Sequence, residues 1–162
     1  MIGMTVAQFF DRAISWERAA EVFYSALAEM FVADLAARDI WLKMAADEAL
    51  HATLLETGLV HLADDQKTQA LTAHQLDVVD SIERELREIR SEKIATLDDA
   101  YELANRLESS EINSVFQMLV LDKLEPDTRS ELVRSQFEEH VARLAELRRA
   151  FTREERRALS CS

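Results

Sequence analysis

Residues 41–55 read WLKMAADEALHATLL. Five of these side chains recur at spacings of three and four residues and therefore share one helical face: Trp41, Met44, Glu48, His51 and Leu55. The face is apolar except near its middle, where a carboxylate and an imidazole stand three residues apart. Burying such groups is unfavourable unless they are paired or bind a metal ion. This stretch therefore predicts a helix that carries polar chemistry into a core.

Three other segments repeat this arrangement, each with an apolar helical stripe that is interrupted near its middle. The interrupting residues are Glu17 in the first stripe, Glu108 and Glu111 in the third, and His140 in the fourth. Together with the carboxylate–imidazole pair above, these groups would meet in one place if the four helices faced each other. A divalent or trivalent cation there would neutralise them. Carboxylates and imidazoles suit iron and manganese, and the lack of thiolates argues against structural zinc.

Capping signals and polar stretches divide the chain into five predicted helices. Their approximate ranges are 5–32, 35–61, 74–93, 97–123 and 128–157. The polar segment Ala63–Gln69 predicts a loop, and the only proline, Pro126, ends the fourth helix. The order is two helices, a long crossover connection that contains an extra helix, and two more helices. This is the connectivity of ferritin-like folds, so we expect an all-α, ferritin-like four-helix bundle.

Composition and charge narrow the classes of protein further. A chain of 162 residues fits a single domain over 1–162, and the scarcity of glycine and proline favours helix. The formal net charge of −12 argues against partners such as nucleic acid or an anionic membrane, because both attract Lys and Arg. Neither a signal peptide nor a membrane-spanning run is recognisable, so a cytoplasmic location is expected.

Three short motifs resemble the rubrerythrin family of ferritin-like proteins. Glu17-Arg-Ala-Ala20-Glu-Val-Phe-Tyr24 is similar to the family's Glu-x-x-Ala-x-x-x-Tyr. The Glu-x-x-His of the second predicted helix and the Glu-x-x-Glu of the fourth, Glu108-Ser-Ser-Glu111, also resemble family motifs. The resemblance extends over the bundle, from about Thr5 to Phe151.

The resemblance implies a di-iron carboxylate centre, with manganese as an alternative metal. The implied metal ligands are Glu17, Glu48, His51, Glu108, Glu111 and His140. Tyr24 corresponds to an inward tyrosine near the centre and is the candidate catalytic residue, because it could hydrogen-bond a carboxylate and orient it. About two irons per chain are expected if the site is intact.

Phe137 departs from the family pattern. The family places its second bridging glutamate three residues before the histidine of the last helix, and here Phe137 precedes His140 at that spacing. Glu138 and Glu139 point about 100° and 200° away from Phe137 in an ideal helix, so neither is a simple replacement. Three outcomes remain open: a less tightly bridged metal pair, a single metal on the side of the first two helices, or a site kept for packing.

The family's chemistry implies a non-haem iron oxidoreductase that reacts with peroxide or dioxygen, as a peroxidase or a ferroxidase. Family members often carry a rubredoxin module with four cysteines, whereas this chain has one cysteine, Cys161. Electrons would therefore come from a separate donor or from ferrous iron itself. An iron carrier without turnover and a structural bundle with a degenerate site are the alternatives. Small ferritin-like domains commonly pair, so a homodimer is expected.

Overall fold

The computed structural model describes residues 3–109 and, further along the chain, residues 142, 143, 145, 146, 148 and 149. Five helices account for most of the continuous range: α1 (Val6–Met30), α2 (Leu35–His61), α3 (Asp64–Thr68), α4 (Ala73–Ser91) and α5 (Leu97–Ser109). The six separate residues are helical as well, and no strand occurs among the described residues. The prediction of an all-α fold is confirmed for this part of the chain.

Helices α1 and α2 form an antiparallel hairpin that builds most of the described core. Tyr24 of α1 stacks on Trp41 of α2, whereas Arg18, nearer the start of α1, pairs with Glu56 near the end of α2. Residue numbers thus rise along one helix as they fall along the other. The turn between them is fixed by Asp34, whose side chain accepts a hydrogen bond of 2.9 Å from the Ala37 N–H and caps α2.

The connection after α2 turns back across the beginning of α1. The Val6 N–H donates to the Gln69 carbonyl and the Leu71 N–H to the Met4 carbonyl, each at 2.9 Å. Within this connection lies α3, a helix of five residues, where the sequence predicted a loop. Its first turn carries Asp64 and Asp65, which favour a helix start through the helix dipole.

Two clusters of apolar side chains form the core of the described region. The first lies around the beginning of α1 and includes Phe9, Phe10, Trp16, Leu55, Val79 and Ile82. The second lies around the α1–α2 turn and α5 and includes Tyr24, Leu27, Trp41, Met44, Ile89 and Leu103. Helix α4 contributes to both, and its residue Leu86 packs against each of them. The helix predicted at 74–93 therefore exists as α4 and packs along the hairpin.

Ion pairs connect α4 to its neighbours. Arg12 of α1 pairs with Glu83 of α4. Arg106 of α5 lies near Glu85 and Glu88 of α4 and pairs with Glu92, the residue that follows α4. These pairs lie at the surface, so each contributes little to stability. None of the described helices has a stretch apolar and long enough to cross a membrane.

Candidate metal centre

Three polar side chains are buried between the two apolar clusters. Glu17 comes from the middle of α1, and Glu48 and His51 come from the middle of α2. Their exposed fractions are 5%, 4% and 0%, respectively. Along α1, Glu17 lies between Trp16 of the first cluster and Tyr24 of the second, so the polar group marks the boundary between the clusters.

The helical spacing explains how α2 presents two of these groups together. Residues three apart lie on one face of a helix, and the Nδ1 atom of His51 is 3.2 Å from the Oε2 atom of Glu48. The same nitrogen is 3.5 Å from the Oε2 atom of Glu17 across the hairpin. One potential ligand atom from each of the three residues lies within 4.8 Å of the others, so the three could hold one metal ion.

Burial and charge act together on the Glu48 carboxyl group. Its pKa is raised well above the usual value, first because burial removes water from the charged form and then because the Glu17 carboxylate lies beside it. Glu108 raises the pKa further through its charge. Two adjacent carboxylates that are buried from water repel each other, so the pair is stabilised by a proton held between them or by a bound cation.

Tyr24 connects this group to α5. Its side chain is fully buried, and its hydroxyl donates a hydrogen bond of 2.5 Å to the Oε1 atom of Glu108. Burial raises the Tyr24 pKa well above its usual value, and the charges of Glu108 and Glu48 raise it further. The phenol therefore stays protonated and remains a donor to the Glu108 carboxylate.

The predicted ligands fall into three sets. Glu17, Glu48 and His51 come together as predicted. Glu108 lies close enough to interact with Glu48 electrostatically, and Tyr24 holds one of its oxygens. The other predicted ligands and the departure from the family pattern lie outside the described residues: Glu111, His140 and Phe137.

Two residues near the group received no role in the sequence analysis. The Arg143 guanidinium pairs with the Asp47 carboxylate, which precedes Glu48, and donates a hydrogen bond of 3.2 Å to the Lys43 carbonyl. The Arg143 pKa is lowered because burial disfavours its charge. This contact joins residues a hundred positions apart, so helical periodicity carries no signal for it.

Comparison with known proteins adds no relative. No family model, no curated protein and no solved structure matches this chain. The interpretation of the site therefore depends on its own geometry and chemistry.

Proposed function

We propose that this chain is an iron-binding protein of the ferritin-like, rubrerythrin-like kind. The observation that carries the proposal is the buried group of Glu17, Glu48 and His51, whose ligand atoms lie within 4.8 Å of one another. We further propose that the chain folds as a four-helix bundle with one long crossover. Helices α1 and α2 would supply the first pair of helices, α4 would lie in the crossover, and α5 would begin the second pair.

The donor set fits iron. Two carboxylates and one imidazole match the hard and borderline ligands that ferrous iron and manganese accept, and the group contains no thiolate. A cation would offset the unfavourable proximity of Glu17 and Glu48, which share a site shielded from water. A buried Glu-x-x-His pair facing a glutamate from a neighbouring helix is also the arrangement found in half of a di-iron carboxylate bundle.

The residues of the chain have separate roles in this proposal. Glu48 must give up the proton that burial favours before it can act as a ligand, so metal binding releases protons and strengthens as the pH rises. His51 offers its Nδ1 atom, the ring nitrogen that lies 3.2 Å from the Oε2 atom of Glu48 and 3.5 Å from the Oε2 atom of Glu17. Tyr24 orients Glu108, which we propose as a further ligand from α5.

Arg143 supports a role for the last helix. It contacts α2 at Lys43 and Asp47, next to Glu48, and it follows His140 by three residues in the sequence. We therefore propose that the segment around Arg143 belongs to the last helix of the bundle and that His140 is a ligand from it, with Glu111 as a ligand from the helix that α5 begins. A centre of about two irons would then form, as in di-iron carboxylate bundles.

The reaction we propose is oxidation of bound iron by peroxide or dioxygen. Ferrous iron, when bound, would supply the electrons that reduce the oxidant. The protein would hold the ligands, exclude bulk water from a group that is at most 5% exposed, and keep the Tyr24 phenol protonated beside the centre. For repeated turnover, electrons would return from a separate donor.

Mixing anaerobically iron-loaded protein with peroxide tests this function. Ferric absorbance should appear faster in the protein than in free ferrous iron at equal concentration. Glu29→Gln alters an exposed glutamate of α1 and should react like the parent, whereas His51→Ala should lose the fast phase. Iron that stays bound but is oxidised no faster than free iron would contradict the oxidoreductase and favour a carrier.

A further inference from the structure

The outer face of α2 exposes large apolar side chains. Leu35, Leu42, Leu50 and Val60 are 62%, 49%, 43% and 73% exposed, respectively, and Val32 in the preceding turn is 57% exposed. At 100° per residue, five outward residues lie within about 20° of a common line along the helix: Leu35, Leu42, Ala46, Thr53 and Val60. We call this set, with Leu50, the outer stripe. It faces away from Glu48, so the metal group does not account for it.

The middle of the outer stripe carries no charge. The exposed residues between Lys43 and Glu56 are Ala46, Leu50 and Thr53. Charged residues make up 31% of the chain and its net charge is −12, so two copies should repel each other over most of their surface. An uncharged strip about 20 Å long is the kind of surface on which such copies can approach.

The outer stripe is also complementary to itself. Val32 and Val60 lie equally far from Ala46 in the sequence, and so do Leu42 and Leu50. If two copies of α2 cross antiparallel at Ala46, Leu42 meets the level of Leu50 on the other copy and Val32 meets the level of Val60. Leu35 meets the level of Thr57, at the edge of the contact. A small residue at the crossing point lets the two helices come close. An interface in which one patch meets itself is the mark of a two-fold dimer.

Charges at the ends of the outer stripe fit the same pairing. Arg38 lies eight residues before Ala46 and Glu56 ten residues after it. In the antiparallel arrangement, Arg38 of one copy therefore lies within about one helical turn of Glu56 of the second copy. Within one chain Arg38 also pairs with Asp39, and Glu56 with Arg18. A parallel pairing would set Arg38 against Arg38 and Glu56 against Glu56, so the charges at both ends favour the antiparallel register.

We propose that the outer stripe of α2 binds a second copy of this chain, with α2 paired antiparallel to itself across a two-fold axis at Ala46. The pairing does not depend on the metal, because the stripe and the metal group occupy opposite faces of α2. The other occupants, a different protein or another part of the same chain, would leave the purified protein monomeric.

A cysteine at the axis tests the pairing directly. In a Cys161→Ser background, Ala46→Cys places two thiols at the axis, within the short range that a disulfide requires. The matched control is Ala36→Cys, another exposed alanine of the same helix, whose two copies would lie about 30 Å apart. Mild oxidation should convert most of the first variant to a covalent dimer and little of the second. Equal cross-linking of both, or of neither, would overturn the proposal.

The mass in solution gives a second, independent measurement. Sedimentation of the full chain should show a dimer, and Leu42→Glu/Leu50→Glu should show a monomer with an unchanged helical circular dichroism spectrum. Iron content per chain should be the same in both. A parent protein that sediments as a monomer would overturn the dimer while leaving the metal centre intact, and a misfolded double variant still leaves the cross-linking comparison decisive.

Discussion

Glu48 illustrates what a single residue in a helical stripe can disclose. A charged residue on an otherwise apolar face was the signal for the site, and the same reasoning found Glu17 and His51. The sequence predicts that Tyr24 orients a carboxylate, and in the structure its hydroxyl donates to the carboxylate of Glu108. That partner lies 84 positions away, and local periodicity does not specify such long-range pairs.

The raised pKa of Glu48 predicts how stability varies with pH in the metal-free protein. The folded state holds the Glu48 proton more tightly than the unfolded chain does. The stabilisation that this proton provides is therefore fully present below about pH 4.5, and it is lost as the pH rises through the pKa of Glu48 in the folded state. The melting temperature in chelator should therefore fall from pH 5 to pH 8. Glu48→Gln should flatten this slope and raise the melting temperature at pH 8. An unchanged slope in the variant would contradict the assignment.

Removing the Tyr24 hydroxyl tests its role toward Glu108. Tyr24→Phe keeps the ring stacked on Trp41 but deletes the donor to the carboxylate. Residues that orient ligands typically affect metal affinity by about 10- to 100-fold, so we expect a loss in that range. Competition with a metal-binding dye measures it. Phe23→Leu, an aromatic change next to Tyr24 that removes no donor, is the control.

At the scale of the helices, the sequence predicts helix ends most accurately where a capping residue adjoins the start or end of an apolar helical period. Helix α2 begins at Leu35 and ends at His61, the predicted range, because Asp34 caps its start and the backbone becomes extended at Leu62. Helix α4 begins at Ala73, after the capping residue Thr72, one residue before the predicted start. Helix α3 was missed because five polar residues are too few to show a hydrophobic period.

The cap of α2 should matter to the stability of the hairpin. Asp34→Ala removes the acceptor for the Ala37 N–H and should lower the free energy of unfolding by about 1 kcal/mol. Asp34→Asn keeps an oxygen acceptor and should behave like the parent. Urea denaturation measures both. A loss of equal size in the asparagine variant would show that the charge, and not the cap, is responsible.

At the scale of the whole molecule, a polar group lies between two apolar clusters that the same three helices share. The hairpin and α4 position Glu17, Glu48 and His51 with backbone elements that are already packed, so the ligands need little rearrangement to receive a cation. A preformed site of this kind should bind metal only in the folded state. Binding should therefore stabilise the whole fold.

Metal concentration should accordingly control thermal stability. Above the dissociation constant, each tenfold increase in free ferrous iron should add about 1.4 kcal/mol to the free energy of unfolding. Anaerobic calorimetry should show the melting temperature of the parent rising steadily with iron, while His51→Ala stays constant. A parent melting temperature that is independent of iron would favour a structural bundle.

The central claim is that Glu17, Glu48 and His51 hold iron, and iron content per chain tests it most directly. The protein is loaded with ferrous iron without oxygen, desalted and subjected to elemental analysis beside Glu48→Gln and the exposed control Glu29→Gln. The parent and the control should retain about one to two irons per chain, and Glu48→Gln should retain essentially none. No iron in the parent, or equal iron in all three proteins, would contradict the account.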